Sequence, residues 1–563
     1  MAASQLGLTL SHLLDRPAWD LPERDGPHSE DPFHVADKLT DLDSSLALLQ
    51  RYRNSLRPIH RIASDILLLI FLEIQDDDDS PLHSTFGCNN WVRLAHVCHR
   101  WRSIAFACPL LWTRISTRYP EAVLACLSNS ADAPLSLFVS VGVSTETMAY
   151  VIGATMPHAG RIRHLYLPST FENTDLRQTL APILQSPMPT LETLHVYKVA
   201  MDSDCFPLPR LFAGQATQLT TLKLCYTFPE SDSVSFANVR RLLIRGKKRK
   251  PITIELPRLF EILEACPNLE ELRTVKASFT ESEDDERPLR RLRLEHLRVL
   301  DLTRCSPHVV ADIFRHLIIP ECAIRFYTWL ERAADFTFRF GIPELLDESS
   351  HLREITKLHV EYTSASDLIT IQGMTRTAPF HIVASIPSGS DMGEMSTIAG
   401  HLLLSIVRTL DLSCLEEFII AESYYHRVHL GFTRRGWAEV FERMPQLKTL
   451  HIRIDSMNDA GFSRSILSAL STVKEITGNL HCPLLETITM VNDKTWSSLQ
   501  CYLLAVERAK RGHPLKKVSM RLPYYENFED IVDTDLPAMR QVIESVDLDP
   551  PSIDRPAFPD LTW

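Results

Sequence analysis

The sequence has little glycine and none of the glycine-rich motifs that bind nucleotide phosphates. Of its 563 residues only 18 are glycine, about half the usual share. Neither GxGxxG nor GxxxxGK(S/T) occurs, and the motifs GxSxG and HExxH are missing as well. No known catalytic motif therefore supports an enzyme, and no cofactor is expected. An enzyme with an unrecognised site remains a hypothesis without a specific feature behind it.

Paired cysteines and long apolar runs are also missing. The twelve cysteines are scattered without a CxxC pair, and no N-terminal signal sequence is seen, which together favour free thiols in a reducing compartment. The longest apolar run, residues 66–72, is too short to span a bilayer. A net charge of −12 argues against a general nucleic-acid binder. We expect a protein with neither nucleic acid nor membrane as its partner.

Histidines and cysteines with the side chains of zinc ligands lie close together in one stretch. They are His96, Cys98 and His99, with Cys88 and Cys108 nearby. On one helix His96 and Cys98 would point to different faces, so this spacing does not form a ligand set. We expect no metal site here and a buried structural thiol at Cys98.

Residues 58–115 have the periodicity of three short helices. Ser64 or Asp65 can cap the first, in which apolar residues recur at steps of three and four. The second begins near Asn90. The third starts near Trp101 and ends before Pro109, which cannot continue a helix. A unit of this size buries a modest core and often gains stability from a partner.

The same stretch contains a series of residues, most of them apolar or aromatic, whose order and spacing form a motif. They are Pro58, Ile59, Ile62, Asp65, Ile66, Leu67, Ile70, Phe71, Val97, Cys98, Trp101, Arg102, Ile104, Ala105, Pro109, Leu111 and Trp112. The series resembles the F-box of a large group of fungal F-box proteins. That family has a Pro-Ile lead, a Leu-Pro-x-Glu-Ile-Leu start and an Ile-Phe pair, then Val-Cys-x-x-Trp-Arg-x-Ile-Ala and Pro-x-Leu-Trp. Here Ala63 stands in place of the family proline, and Asp65 in place of its glutamate.

The resemblance implies a non-catalytic substrate receptor of an SCF ubiquitin ligase. Such a subunit docks the Skp adaptor, and through it a cullin, while another domain binds a target protein. The residues implied for adaptor docking are Pro58, Ile59, Ile62, Ile66, Leu67, Ile70, Phe71 and Trp101. Ala63 favours an alternative, an F-box-derived interaction scaffold without ligase coupling.

The segments before this unit differ in character. Residues 1–34 have little periodicity and are predicted to be disordered. Residues 35–57 predict a helix whose leucines follow heptad-like spacing, with Arg53 interrupting: Leu39, Leu42, Leu46, Leu49 and Leu56. The helix could form a coiled-coil dimer or pack on the F-box at 58–118. Fewer than three heptads favour packing on the F-box.

Residues 119–525 repeat the pattern apolar, two residues, apolar, one residue, apolar. It occurs as IRHLYL at Ile162, LETLHV at Leu191, LTTLKL at Leu219, VRRLLI at Val239, LRVLDL at Leu297, ITKLHV at Ile355, VRTLDL at Val407, LEEFII at Leu415, LKTLHI at Leu447, LETITM at Leu485 and LKKVSM at Leu515. The early central leucines follow at steps of 28, 29, 28, 20, 30 and 28 residues, from Leu137 to Leu300. This period falls mainly in the leucine-rich-repeat range.

The repeat predicts strands alternating with helices that stack into one continuous core. It resembles the leucine-rich-repeat-like tails of F-box proteins. The expected fold class is therefore α/β, a three-helix F-box followed by an irregular leucine-rich-repeat-like α/β solenoid with a parallel sheet. A non-repetitive α/β domain is the alternative. Residues 526–563 form an acidic, proline-rich tail with a short helix near 536–545 and a mobile end.

Two of the three apolar positions in the repeat face the core, so the residues between them face outward. They mix imidazole, hydroxyl and basic groups, which suits recognition of a protein surface, although an ordinary solvated sheet face fits as well. The candidates for target binding are His164, Tyr166, His195, Lys223, Asp301, His359 and His451.

A short basic run follows one of the predicted strands. Lys247, Lys248, Arg249 and Lys250 resemble a monopartite nuclear import signal. A basic, solvated turn between two strands is the favoured alternative. We expect a cytoplasmic and/or nuclear protein.

Overall fold

The computed structural model describes the chain as two compact units. They comprise residues 1–168 with 175–188 (unit 1), and 169–174 with 189–563 (unit 2). The described residues are 32–76, 92–140, 142–168, 174–197, 206–208, 211–225, 227–229, 236–246, 252–275, 277–280, 291–303, 313, 315–320, 323–329, 354–363, 368–385, 404, 407–408, 410–423, 433–454, 461–473, 478–491, 496–521 and 536–549.

Unit 1 is mainly helical and ends in three short parallel strands. Its elements are α1 (Pro32–Ser55), a 3-10 turn at Pro58–Arg61, α2 (Ser64–Asp76), α3 (Val92–Ala95), α4 (His99–Phe106), a 3-10 turn at Pro109–Trp112, β1 (Arg114–Ser116), α5 (Pro120–Asn129), β2 (Leu135–Phe138), α6 (Thr145–Thr155), β3 (Ile162–Pro168) and α7 (Thr174–Gln185). β1 pairs with β2 and β2 with β3, both in parallel. Proline and glycine are absent from α2 and α4, which lets both run unbroken.

The described part of unit 2 consists mainly of strands, and α-helices separate them at α8 and from β19 onward. Its elements are β4 (Thr193–Tyr197), β5 (Phe206–Leu208), β6 (Thr221–Cys225), β7 (Thr227–Pro229), β8 (Arg241–Arg245), β9 (Ile252–Glu255), α8 (Leu256–Glu264), β10 (Glu271–Val275), β11 (Ala277–Thr280), β12 (Leu292–Arg293), β13 (Val299–Thr303), β14 (Leu317–Ile318), β15 (Ala323–Trp329), β16 (Ile355–Thr363), β17 (Leu368–Thr375), β18 (Pro379–Ser385), β19 (Glu417–Ser423), α9 (Arg434–Glu442), β20 (Thr449–Ile454), α10 (Gly461–Leu470), β21 (Thr487–Val491), α11 (Trp496–Lys510), β22 (Lys517–Arg521), α12 (Leu536–Arg540) and β23 (Ser545–Asp549).

The strands of the main sheet of unit 2 follow chain order except at β16, β17 and β18. Its strand order is β4-β6-β8-β10-β13-β15-β18-β17-β16-β19-β20-β21-β22-β23, and every pair is parallel except the two that β17 makes. Consecutive parallel strands require a crossover between them, and α8, α9, α10 and α11 supply four of these crossovers. The prediction of an α/β fold with a parallel, leucine-rich-repeat-like sheet is confirmed.

The turns that enter successive strands repeat one hydrogen-bond arrangement. The carbonyl oxygen of Glu192 accepts the backbone N–H groups of Thr220 and Thr221, and that of Thr220 accepts those of Arg240 and Arg241. The same pair of bonds recurs at the carbonyls of Arg240, Glu270, Glu416, Lys448 and Glu486. Each repeat of unit 2 is therefore joined to the next by backbone hydrogen bonds as well as by its apolar side chains.

The strands align their buried residues in one continuous line, which we call the core row. Its members, in strand order, are Leu194, Leu222, Leu242, Leu272, Leu300, Ile324, Phe380, Gly373, Leu358, Phe418, Leu450, Ile488, Val518 and Val546. All of its apolar side chains are buried. The regular spacing of leucines in the sequence thus becomes direct contact between neighbouring strands.

The sheet departs from simple repetition at β16, β17 and β18. These strands form an antiparallel meander, and its last strand, β18, returns to pair with β15, while its first strand, β16, pairs with β19. The meander is thus inserted in reverse order.

One predicted strand is wrong. VRTLDL at Val407 forms no strand: Val407 and Arg408 are helical, and Leu410 and Leu412 precede β19 without pairing. All three apolar side chains are nevertheless buried, so the pattern marked core residues correctly. Two strands cannot fit here, because LEEFII begins only eight residues later.

The sheet continues past residue 525, where the repeat domain was predicted to end. β23 pairs in parallel with β22, and α12 covers only the first part of the helix predicted at 536–545. The predicted segments 1–34 and 526–563 and the basic residues Lys247 to Lys250 lie wholly or largely outside the described residues. Their assignments stay predictions.

Gly373 supplies a sharp test of the core row. It lies opposite Phe380, and a Cβ at this position would overlap the Phe380 ring. We predict that Gly373→Ala destabilises the protein by about 1–3 kcal/mol through overpacking, which would lower the urea midpoint measured by circular dichroism.

The matched control is Gly153→Ala within α6, where no heavy atom lies within 4 Å of the new Cβ. We expect this variant to be unchanged or slightly more stable, because alanine favours a helix by up to about 1 kcal/mol. Equal midpoints for the two variants would contradict the assignment of Gly373 to the core.

Candidate functional site

α2 presents apolar side chains on two opposite sides. Leu67 and Phe71 are 1% and 0% exposed and, with Gln75, face the interior of unit 1. Ile66, Leu69 and Ile70 face outward, 47%, 62% and 41% exposed. Steps of three and four residues place each set on one side of the helix. α2 therefore has an inner side that holds the unit together and an outer apolar side without a cover among the described residues.

The inner side of α2 packs against Trp101 and is hydrogen-bonded to the turn at Pro109–Trp112. The rings of Phe71 and Trp101 lie 5.3 Å apart at a tilt of 55°. The indole N–H of Trp112 donates to the carbonyl oxygen of Ala105 at 3.1 Å, and the amide of Gln75 donates to the carbonyl oxygen of Leu111 at 3.3 Å. These contacts fix the rotation of α2 and so the direction of its outer side.

The turn before α2 extends the outer apolar side. Pro58 and Ile59 are exposed, and Ile62 is half-buried. The guanidinium of Arg100 donates to the carbonyl oxygens of His60 and Ile62 and to the Ser64 hydroxyl. A single α4 side chain therefore holds this turn at the start of α2.

Six of the eight residues predicted for adaptor docking are at least partly accessible. Pro58, Ile59, Ile66 and Ile70 are exposed, and Ile62 and Trp101 are half-buried, whereas Leu67 and Phe71 belong to the core. Leu69 was not predicted, although its position three residues after Ile66 could have identified it. We call Ile59, Ile66, Leu69 and Ile70 the α2 surface.

The predicted zinc-type residues do not assemble. Among the described residues no three histidine, cysteine, aspartate or glutamate side chains form a group that could hold a metal ion. Cys98 is half-buried rather than buried, and its Sγ lies 3.6 Å from Nε2 of His60. Cys88 lies outside the described residues. Within the described ranges every helix is too short or too polar to span a bilayer.

A second row of side chains lies on the face of the unit 2 sheet opposite the core row, and we call it the outer row. In strand order it contains His195, Lys223, Leu243, Arg273, Asp301, Arg325, His381, Gln372, His359, Ile419, His451, Thr489, Ser519 and Asp547. Five of the seven residues predicted for target binding therefore share one register line.

The other two predicted target residues belong to unit 1. His164 and Tyr166 lie on β3 and pair with Ser136 and Phe138 of β2. The Tyr166 ring stacks on that of Phe138 at 4.2 Å, and both predicted residues are half-buried. Asp301 of the outer row is only 5% exposed, which leaves little of its carboxylate for a partner.

The histidines of the outer row are held in the neutral form. Burial, together with the nearby cations Lys223 and Arg245, lowers the pKa of His195 to about 4. Burial and Arg325 lower the pKa of His381 to about 4 in the same way. Burial is also the main cause that lowers the pKa of His359 and of His451. The charge on this face at neutral pH therefore comes from its lysines, arginines and carboxylates.

His381 is absent from the prediction because its strand, PFHIVAS, lacks the repeat pattern. The register line is the signal that identifies it: His381 pairs with Arg325 on one side and with Gln372 on the other.

The cations at one end of this face outnumber the anions near them. Lys223, Arg241, Arg245, Arg273 and Arg325, which we call the cationic patch, are all exposed. Arg241 and Arg273 share one carboxylate, that of Glu271. Among the described residues Lys223, Arg245 and Arg325 have no ion-pair partner. Within the part of the chain that the structure describes, the patch therefore has an excess of positive charge, whereas the net charge of the chain is −12.

The other end of the same face is balanced. Lys357 pairs with Glu417 at 2.8 Å, and Lys517 pairs with Asp547 at 2.8 Å. His451 lies 3.6 Å from the second oxygen of the Glu417 carboxylate. The positive excess is therefore local to β6, β8, β10 and β15.

Comparison with known families identifies the helical part of unit 1. Residues 64–118 match the family model described as F-box-like. The match begins with the first residue of α2 and runs past β1, so the chain contains an F-box-like domain at this position. Comparison with the curated proteins found no match. The fungal type and the leucine-rich-repeat family stay predictions.

Arg100 gives a test of how the α2 surface is positioned. We predict that Arg100→Ala frees the turn at residues 58–62, because bonds from a charged donor to carbonyl oxygens contribute about 1.5–3 kcal/mol each. Hydrogen exchange measured by mass spectrometry should accelerate in this segment. The control is Arg61→Ala, which removes an exposed arginine from the same turn. Equal exchange in both variants would refute this role of Arg100.

Proposed function

We propose that this protein is the substrate-recognition subunit of an SCF-type ubiquitin ligase. In this role the F-box-like domain binds a Skp adaptor, and through it a cullin, while the unit 2 sheet binds a target protein. The observation that carries the proposal is an F-box-like match at 64–118 whose first helix exposes three large apolar side chains. F-box-like domains are typically non-catalytic adaptors, so the protein would contribute proximity and orientation rather than covalent chemistry.

The α2 surface supports the adaptor part of the proposal. Its four side chains are each more than 40% exposed: Ile59, Ile66, Leu69 and Ile70. Exposed apolar clusters of this kind commonly mark protein interfaces. A Skp adaptor would cover them, and each buried isoleucine or leucine would contribute about 1.5–3 kcal/mol. Leu67 and Phe71 would act indirectly, by holding α2 in its orientation.

The cationic patch supports the target part of the proposal. Its exposed, unbalanced cations favour a partner segment rich in aspartate or glutamate, because opposite potentials speed encounter and set the register of docking. The neutral histidines His195 and His381, which flank the cations in the outer row, offer hydrogen bonds without opposing charge. His195 and Lys223 lie at the edge of the patch, whereas His359 and His451 would contact a longer target that extends toward β20.

Ala63 keeps one alternative open. It is exposed, directly before α2, where the F-box resemblance expects proline. An interaction scaffold without ligase coupling would keep the cationic patch and lack adaptor affinity. In either role we place the protein in the cytoplasm and/or the nucleus.

The adaptor proposal is tested by charging the α2 surface. We predict that Ile66→Asp with Ile70→Asp weakens binding to a purified Skp adaptor at least about 100-fold in titration calorimetry, because two apolar contacts are lost. Leu67→Asp is unsuitable, since a charge at a position that is 1% exposed would disrupt the fold.

The matched control is Leu124→Asp on α5, which is 60% exposed and lies outside the F-box-like residues. It should leave adaptor binding unchanged. Circular dichroism should be the same for all variants. Absence of heat with the wild-type chain would exclude ligase coupling and favour the scaffold.

The target proposal is tested by reversing two unpaired cations. We predict that Lys223→Glu with Arg325→Glu removes acidic proteins from the set captured in cells, while the adaptor and the cullin remain, because the docking charge is reversed. Affinity purification with quantitative mass spectrometry measures both. The control is Lys357→Glu with Lys517→Glu at the balanced end of the sheet. Identical captured sets for the two variants would contradict the assignment of the target site.

A further inference from the structure

α1 exposes a row of leucines along one side. Leu39, Leu42, Leu46 and Leu49 follow at steps of three and four residues and are 57%, 54%, 54% and 39% exposed. Leu56, just after the helix, continues the spacing and is 62% exposed. Among the described residues α1 contacts the rest of unit 1 mainly at the Pro58–Arg61 turn, which follows the C-terminal end of α1. Packing on the F-box therefore does not account for the leucine row.

The side of α1 next to this row is polar and satisfied within the helix. The Thr40 hydroxyl donates to the carbonyl oxygen of Ala36 at 2.9 Å, and the Ser44 hydroxyl donates to that of Thr40 at 2.8 Å. A helix with a narrow apolar stripe at steps of three and four residues has the pattern of one strand of a coiled coil. The stripe here lacks its second strand.

The charges of α1 are divided along its length. The first half has three aspartates, Asp37, Asp41 and Asp43, with one lysine, Lys38. The last turns and the residue pair that follows have only arginines: Arg51, Arg53 and Arg57. This division is favourable for the dipole of a single helix. It also makes the helix complementary to a reversed copy of itself.

We propose that α1 pairs with α1 of a second copy of this chain in an antiparallel arrangement. With Leu46 against the partner's Leu49, the spacing brings Leu39 to the partner's Leu56. Leu42 then meets the partner's Arg53, whose guanidinium reaches Asp43 of the first copy, the next residue along. The interrupting Arg53 thus receives a carboxylate instead of remaining unpaired in the seam.

The opposite orientation lacks this complementarity. A parallel, in-register pair would place the two Arg53 side chains against each other in one layer, where their like charges repel. The antiparallel pair is therefore the one that both the leucine spacing and the charge division support. The proposed pairing does not depend on the ligase role, because it is argued only from α1 and the two residues after it, which lie before the F-box-like domain.

The association is tested on the full chain by sedimentation velocity over a range of protein concentrations. The wild type should show a monomer–dimer equilibrium. We expect Leu39→Asp with Leu46→Asp to weaken it at least about 100-fold, because the leucine layers that these residues form with the partner's Leu56 and Leu49 are lost. The matched control is Leu48→Asp, an exposed leucine of the same helix that lies off the row. A wild type that stays monomeric at every concentration would overturn the proposal.

The orientation is tested by exchanging charges. Changing Asp37, Asp41 and Asp43 to lysine, or Arg51, Arg53 and Arg57 to aspartate, should each weaken the dimer about tenfold. Combining both sets should restore it to within about threefold, because the two halves are again opposite in sign. Dimerisation that ignores either single set, or that the combined set does not restore, would overturn the antiparallel arrangement. Circular dichroism monitors the helix itself in each variant.

Discussion

In-register pairing of parallel strands fixes two surfaces of unit 2 at the same time. Because successive side chains alternate across a strand, the register that aligns Leu222 with Leu242 also aligns Lys223 with Leu243 and Arg273. A slip by one residue would move the leucines to the water and the cations into the core. The apolar core row thus determines where the charges of the outer row lie. The cationic patch exists because the leucines on the other face must pack.

The F-box-like domain divides its residues in a comparable way on a single helix. Leu67 and Phe71 are buried in unit 1, Phe71 against Trp101, and this packing turns Ile66 and Ile70 toward the solvent. Arg100 then holds the preceding turn through carbonyl oxygens, so Ile59 joins the same surface. One apolar run of seven residues, 66–72, therefore supplies both the buried side chains that hold α2 and the exposed ones on its outer side.

The repeat predicted the sheet well because the recurring leucines are the residues that pack against one another in the core. Leu194, Leu222 and Leu272 recur in the sequence since each must contact its neighbours in the core row. The strand order in the meander could not be predicted, because the sequence of β17 does not indicate which strands lie on either side of it. Likewise Leu67 and Ile66 are equally apolar, and only the direction of α2 decides which of them is buried. The exposed leucines of α1 show the reverse limit: their spacing is plain in the sequence, but spacing alone does not say what covers them.

The reversed meander has a consequence for how unit 2 acquires its structure. In a simple stack each new strand finds its neighbour within about one repeat along the chain, and ordering can spread steadily from any point. Here β15 pairs with β18, which lies three strands later in the chain, and β16 pairs with β19 across the segment that contains β17 and β18. Such distant closures are slow steps in folding. We therefore expect the strands before β15 and those after β19 to order as separate nuclei that join last at the meander.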